Sequence, residues 1–115
     1  RLEDLRDWRR ANRLRFLEGL TARLIAQVLL TVEEPELEEA QRWVETAIAA
    51  DRANGLQLDL AHDHVCLAQV HQGRDDRKTM RLSLERARDL FRECGSEGYF
   101  EEMERRLGAP AEIGI

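Results

Sequence analysis

Two stretches that both look helical are separated by 40 residues, and this spacing limits the folds that the chain can adopt. Three positions recur at this offset: Ala40, Val44 and Ala47 are followed by Met80, Leu84 and Ala87. Gly55 and Gly95 keep the same offset, and each stands where a helix C-terminal cap needs a residue with positive φ. A fixed period of this length, with a helix–turn–helix in each unit, is typical of stacked helical repeats.

Residues 56–91 are the clearest unit of this pattern and predict a helical hairpin. Its first helix has residues at spacings of three and four on one stripe: Leu60, His64, Leu67, Ala68 and His71. We expect Gly73 to end this helix. Asp75 or Asp76 is then expected to cap the next one, because its carboxylate can accept a free backbone N–H.

The N-terminal third allows two interpretations. Either Thr21 caps a fresh helix that runs to about Leu30, or one long helix passes through Gly19 at a cost of roughly 1 kcal/mol. We favour one long helix from about Ala11, because the apolar spacing continues through the glycine. A further helix follows Pro35, which suits a first helical turn, and a last helix runs towards Gly108. The chain is therefore predicted to be all-α, with five helices in antiparallel hairpins.

Length and composition predict a single domain over residues 1–115. The chain starts at Arg1 rather than Met, so we expect it to be a fragment of a longer protein. A net charge of −5 argues against nucleic acid as a partner, since phosphate binding needs a basic surface. The sequence contains no membrane-length apolar run and no signal peptide, so no membrane partner and a cytoplasmic location are expected.

Charge is unevenly distributed along the first half of the chain, and the N-terminal helix is rich in large apolar side chains. Residues 1–31 have a net charge of +3, whereas residues 32–51 have a net charge of −6. The N-terminal helix also has more large apolar side chains than a polar end-cap of a repeat array would have: Leu2, Leu5, Trp8, Leu14 and Phe16. Self-association through this helix is therefore a second hypothesis.

The sequence indicates neither a metal site nor a catalytic site. His62, His64, Cys66 and His71 share one helix, but a zinc site needs three or four converging ligands, which one straight helix rarely supplies. The sequence has no Gly-x-Ser-x-Gly motif and no Gly-rich phosphate loop. We therefore expect no metal, no cofactor and no enzyme activity.

Several positions resemble the tetratricopeptide repeat, in which a large–small pair in the first helix is followed by a large residue and then alanine in the second. In one unit these positions are Leu67-Ala68, Leu84 and Ala87. In the preceding unit they are Ile25-Ala26, Leu29, Ala40, Val44 and Ala47, with a lengthened turn. The resemblance implies a short TPR-like α-solenoid of about two and a half repeats. The 40-residue period is similar to that of repeats at the C-terminal ends of bacterial signalling proteins, such as ATPase-linked transcription regulators and cyclases.

In such arrays the first helix of each pair lines a concave surface that binds peptide or protein. Carried onto this sequence, the resemblance implies a set of partner-binding residues: Arg23, Gln27, Leu30, His62, Val65, Gln69 and Gln72. The expected function is a protein-interaction scaffold, acting as the regulatory tail of a bacterial signalling or transcription-regulatory protein. Arg23 is expected to favour a carboxylate-bearing ligand, because its guanidinium group can hold both oxygens. The alternative function is a homo-oligomerisation module.

Overall fold

A computed structural model describes residues 1–108, apart from the side chain of Asn12, and every regular element in that range is an α-helix. The five helices are α1 (Leu2–Thr31), α2 (Leu37–Ala53), α3 (Gln57–Gly73), α4 (Arg77–Glu93) and α5 (Glu97–Gly108). The predictions of an all-α fold and of five helices are confirmed. The predicted domain also includes residues 109–115, which lie outside the described residues.

Three turns of the same kind connect α2 to α5. Each contains one residue with positive φ: Gly55 at 68°, Asp75 at 58° and Gly95 at 72°. The next residue donates its N–H to the carbonyl five positions back at 2.9 Å, as from Leu56 to Asp51 and from Ser96 to Phe91. This is the Schellman arrangement, which satisfies carbonyls that the end of a helix would leave free.

The predicted caps of the central hairpin are present in the structure. Gly73 is the last residue of α3, as expected. Of the two aspartates that were candidates for the next cap, Asp76 takes the role and accepts the N–H of Thr79 at 3.1 Å. The 40-residue spacing also appears in the helix bounds, since α2 and α4 begin at Leu37 and Arg77 and each has 17 residues.

Helix α1 is longer than the sequence suggested. It passes through Gly19 without a break, as we favoured, so the alternative of a fresh helix starting at Thr21 is wrong. Its predicted start near Ala11 is also wrong, because the helix begins at Leu2. The arginines that interrupt the apolar pattern before Gly19 are exposed and do not disturb the helix.

The first half of α1 extends beyond the rest of the fold. Thirty residues make a helix about 45 Å long, whereas the 17 residues of α2 span about 25 Å. Because α2 runs back along α1 from the loop after Thr31, it covers the second half of α1. Apart from Ala11 and Asn12, every residue from Leu2 to Glu18 is exposed.

The interior consists of two clusters that meet at α3. Each helix packs against the next along the chain, and α1 also contacts α3. One cluster joins α1, α2 and α3 through Ala26, Ala40, Val44, Cys66 and Val70. The other joins α3, α4 and α5 through Leu60, Ala61, Ala68, Leu84, Ala87, Leu90, Phe91, Met103 and Leu107. The side chain of Ile48 packs against both clusters.

Candidate binding groove

A cleft of about 470 Å³ lies between the C-terminal halves of α1 and α3. The two helices run in the same direction because α2 lies antiparallel to both, so their matching faces form one groove. The cleft brings together four of the seven predicted partner-binding residues: Gln27, Leu30, Gln69 and Gln72. The remaining lining comes from the end of α1, the loop after it and neighbouring helix ends: Thr31, Pro35, Leu37 and Gly73.

The side chains that line this groove are suited to hydrogen bonding with the main chain of a peptide. Gln27, Gln69 and Gln72 are exposed, and each side-chain amide can both donate and accept hydrogen bonds. Leu30 and Leu37 are half-buried and supply an apolar floor beside them. The groove can therefore accept an extended segment that offers backbone N–H and C=O groups and one apolar side chain.

Arg23 does not have the predicted role. Its expected exposure in the groove is wrong, because the residue is 8 % exposed and pairs inside the fold. Its Nη1 atom donates to Asp63 Oδ1 at 2.9 Å and to the carbonyl oxygen of Asp59 at 2.9 Å, and Nη2 lies 3.4 Å from Asp59 Oδ1. These bonds hold α1 against α3, so the guanidinium group is not free to hold a ligand carboxylate.

Asp63 belongs to a buried carboxyl pair with Asp51 of α2. Both residues are at most 1 % exposed. Burial raises the pKa of Asp63 to about 8, and the hydrogen bond and negative charge of Asp51 contribute to the rise, while Arg23 opposes it. The pair therefore holds one proton at neutral pH, because two like charges in contact cannot both stay ionised.

Sequence reasoning missed this cluster. Its members lie on three helices, and nothing in the local pattern distinguishes Asp51 or Asp63 from a solvated aspartate. The one signal in the sequence is Gly19, a glycine inside an apolar helical pattern, which indicates a close approach by another group. In the structure that group is the carboxyl of Asp51.

His62 and Val65 were predicted to line the groove, but they do not lie in the amide-lined cleft. The ring of His62 makes edge contacts with Phe91 and Tyr99, with centroids 5.0 and 4.7 Å apart. Burial lowers the pKa of His62, and the positive charge of Arg23 adds to the effect. Val65 is half-buried and packs against the cluster formed by α3, α4 and α5.

The other titratable groups of α3 are embedded in the fold. Burial raises the pKa of the Cys66 thiol to about 11. Burial, with the positive charges of Arg86 and Arg52, lowers the pKa of His64 to about 4, so its imidazole is neutral at pH 7. Within residues 1–108, no group of three or more His, Cys, Asp or Glu side chains is placed to hold a metal ion.

The large apolar residues of the N-terminal helix form no part of the groove. Leu2, Leu5, Trp8, Leu14 and Phe16 are all exposed, with Leu2 at 65 % and Trp8 at 62 %. None of the helices in residues 1–108 has both the length and the apolar character required to cross a bilayer. Comparison with protein-family models, with curated proteins and with solved structures found no match to this chain.

Proposed function

We propose that this chain is a protein-interaction module that binds an extended peptide segment in the groove between α1 and α3. The observation that supports it is the convergence of Gln27 and Leu30 from α1 with Gln69 and Gln72 from α3 in one solvent-open cleft. The three glutamines of this cleft can donate hydrogen bonds to, and accept them from, the main chain of an extended peptide.

The architecture we propose behind this groove is a short stack of helical hairpins. Support comes from the shared bounds of α2 and α4, the equivalent turns at Gly55 and Gly95, and the order in which each helix packs against the next. Such stacking leaves the first helix of each hairpin on one side, which is where the groove lies. The resemblance of the sequence to tetratricopeptide repeats supports the same proposal, and it also supports a place for this module in the regulatory tail of a bacterial signalling protein.

The ligand chemistry follows from the lining. Amide groups bind the backbone of a peptide with little dependence on its sequence, and the apolar floor at Leu30 and Leu37 adds a preference for one aliphatic side chain. Because Arg23 is paired inside the fold, the groove has no cation set aside for an acidic peptide or for a C-terminal carboxylate. We therefore propose a neutral, extended ligand segment.

The experiment is a selection of random peptides on the immobilised chain, followed by affinity measurements on the peptides that are enriched. The Gln27→Ala/Gln69→Ala variant is expected to weaken binding about tenfold or more, which corresponds to about 1.4 kcal/mol. Gln57→Ala is the matched control, because Gln57 is an exposed glutamine of α3 outside the groove.

Two outcomes would overturn the proposal. One is the absence of any enriched peptide. The other is an enriched peptide that binds the Gln27→Ala/Gln69→Ala variant as tightly as the unchanged chain. Circular dichroism of both variants checks that their helices are intact, which is expected because the replaced side chains are exposed.

A further inference from the structure

Helix α1 has a second apolar face, opposite to the one that packs against α2. On the inner side, Ala22 and Ala26 are buried. On the outer side, four large residues stay exposed at helical spacing, and with the exposed Thr21 between them they define the outward face: Leu14 (61 %), Leu17 (48 %), Leu24 (50 %) and Val28 (62 %). A helix that is apolar on two opposite sides is expected to have a neighbour on each.

The corresponding face of α3 is covered. The large–small pair Ile25-Ala26 of α1 corresponds to Leu67-Ala68 of α3, and both alanines are fully buried. This correspondence is an offset of 42 residues, and at the same offset Leu24 corresponds to Cys66 and Val28 to Val70. Cys66 and Val70 are 1 % and 0 % exposed because α2 packs on them. The outward face of α1 therefore matches a face that elsewhere in this fold is covered by a helix.

The charges around this face indicate what covers it. The segment of α1 from position 6 to position 15 is basic, because it has five exposed arginines and a single exposed acid, Asp7; the arginines are Arg6, Arg9, Arg10, Arg13 and Arg15. The loop at its other end is acidic, with Glu33, Glu34 and Glu36 exposed. One helix thus has a positive end and a negative end on either side of an apolar stripe, so it is complementary to a second copy of itself in the antiparallel direction.

We propose that α1 is the interface of a homodimer, in which the outward faces of two α1 helices pack antiparallel with Thr21 at the two-fold axis. Thr21 is the midpoint between Leu14 and Val28, and its small side chain allows the two helices to approach closely there. In this register, Leu14 of one copy faces Val28 of the other, and the basic segment around Arg10 lies opposite the acidic loop at Glu33 and Glu34. This inference does not depend on the peptide groove, which lies on another side of α1.

The electrostatic argument also selects the direction. A parallel pair would place Arg9 and Arg10 against the same arginines of the second copy and would place Glu33 against Glu33. Like charges in contact are unfavourable, whereas the antiparallel register gives two symmetric sets of opposite charges. These ion pairs are exposed, so added salt should weaken the dimer without abolishing the apolar contact.

Sedimentation equilibrium over about a hundredfold range of concentration tests the proposal. The unchanged chain should pass from 13.4 kDa to twice that mass as its concentration rises. Leu24→Glu/Val28→Glu should stay monomeric at every concentration. Leu82→Glu is the matched control, because Leu82 is a leucine of α4 with a similar exposure of 56 %, and this variant should dimerise normally.

Charge reversal tests the register. Glu33→Arg/Glu34→Arg should weaken the dimer, and Arg9→Glu/Arg10→Glu should weaken it as well. A mixture of the two variants should form a heterodimer more tightly than either variant forms its own dimer, because both ends of the antiparallel interface then bring opposite charges together. These variants change exposed residues, so they should fold even if an apolar substitution perturbs α1.

Disulfide trapping in a Cys94→Ser background tests the two-fold axis, since Cys94 is exposed and Cys66 is buried. With an added oxidant, Thr21→Cys should form a cross-linked dimer. Leu14→Cys should cross-link to Val28→Cys and not to itself. A chain that stays monomeric at every concentration would overturn the proposal, as would a dimer that Leu82→Glu disrupts equally or one in which Leu14→Cys cross-links to itself.

Discussion

Gly19 of α1 and Asp51 of α2 are in such close contact that any side chain at position 19 would have to displace the Asp51 carboxyl. A Cβ atom on Gly19 would lie 2.7 Å from Cγ of Asp51, well inside van der Waals distance. A glycine lowers the stability of α1, but its missing side chain leaves the space in which the Asp51 carboxyl reaches Asp63 in the interior. The glycine and the buried carboxyl pair are one feature of the packing.

Gly19→Ala should destabilise the chain, although alanine is the better helix former. The added methyl group must displace the Asp51 carboxyl, and overpacking of this kind costs about 1–3 kcal/mol, whereas the gain in helix propensity offsets at most about 1 kcal/mol of that cost. Urea denaturation measures the free energy of unfolding. Gly98→Ala is the control, because a Cβ there meets nothing within 4 Å, and that variant should lose no stability.

Asp63 should make the free energy of unfolding fall as the pH rises towards 8. Its pKa is about 8 in the fold and near 3.8 when unfolded, so the folded chain binds the extra proton between those values. The stabilisation is complete below pH 3.8 and is lost as pH rises through 8. His62 and His64 act in the opposite sense, since their lowered pKa values remove stability as pH falls below 6.5, for His64 down to about 4. The window from pH 6.5 to 8 therefore isolates Asp63.

Asp63→Asn is the variant that separates these effects. An asparagine can keep both bonds, because its oxygen accepts from Arg23 and its amide donates to Asp51 without a titratable proton. The loss of stability between pH 6.5 and 8 should then disappear, while the effect of His62 and His64 at lower pH remains. Urea titrations at several pH values measure both slopes, and an unchanged slope above pH 6.5 would show that Asp63 does not hold the proton.

Arg23→Ala should be strongly destabilising at pH 9, by about 3–5 kcal/mol, because it leaves the ionised and buried Asp63 without its positive partner. The loss should be smaller at pH 5 than at pH 9, since a protonated Asp63 needs no counter-charge. Arg42→Ala is the comparison, because Arg42 is exposed and its pair with Glu38 contributes at most about 1 kcal/mol. Equal effects of the two substitutions in thermal denaturation would contradict the buried role of Arg23.

Asp75→Gly should stabilise the chain by about 0.5–1 kcal/mol, because Asp75 has a φ of 58° that glycine adopts without strain. Gly95→Ala is the converse test at the equivalent turn. A Cβ at Gly95 would meet nothing within 4 Å, so its expected cost of about 1 kcal/mol would come from the backbone conformation alone. A loss of stability in Asp75→Gly would indicate that the aspartate side chain itself supports the turn.

The local sequence determined most of the secondary structure. Helix spacing, Asp76 as a cap and the glycines at 55 and 95 depend on hydrogen bonds and dihedral angles within a few residues, so they can be read from short windows. Four of the residues predicted for the groove, including Gln27 and Gln69, come together for a related reason. The period of a helix fixes which residues share a face, and parallel helices align those faces.

Only the tertiary structure decided which polar residues between the helices are buried and which are exposed. Arg23 and Gln27 are one turn apart on α1 and look alike in the sequence, yet Arg23 is buried and Gln27 is exposed. The difference is the presence of Asp63, 40 positions away, whose charge and position no local pattern specifies. Burial of an ionisable group depends on which distant partner reaches it, because an unpaired charge would not stay in the interior. The sequence likewise showed that α1 has many large apolar side chains, but the arrangement of α2 and α3 decided which of them remained exposed.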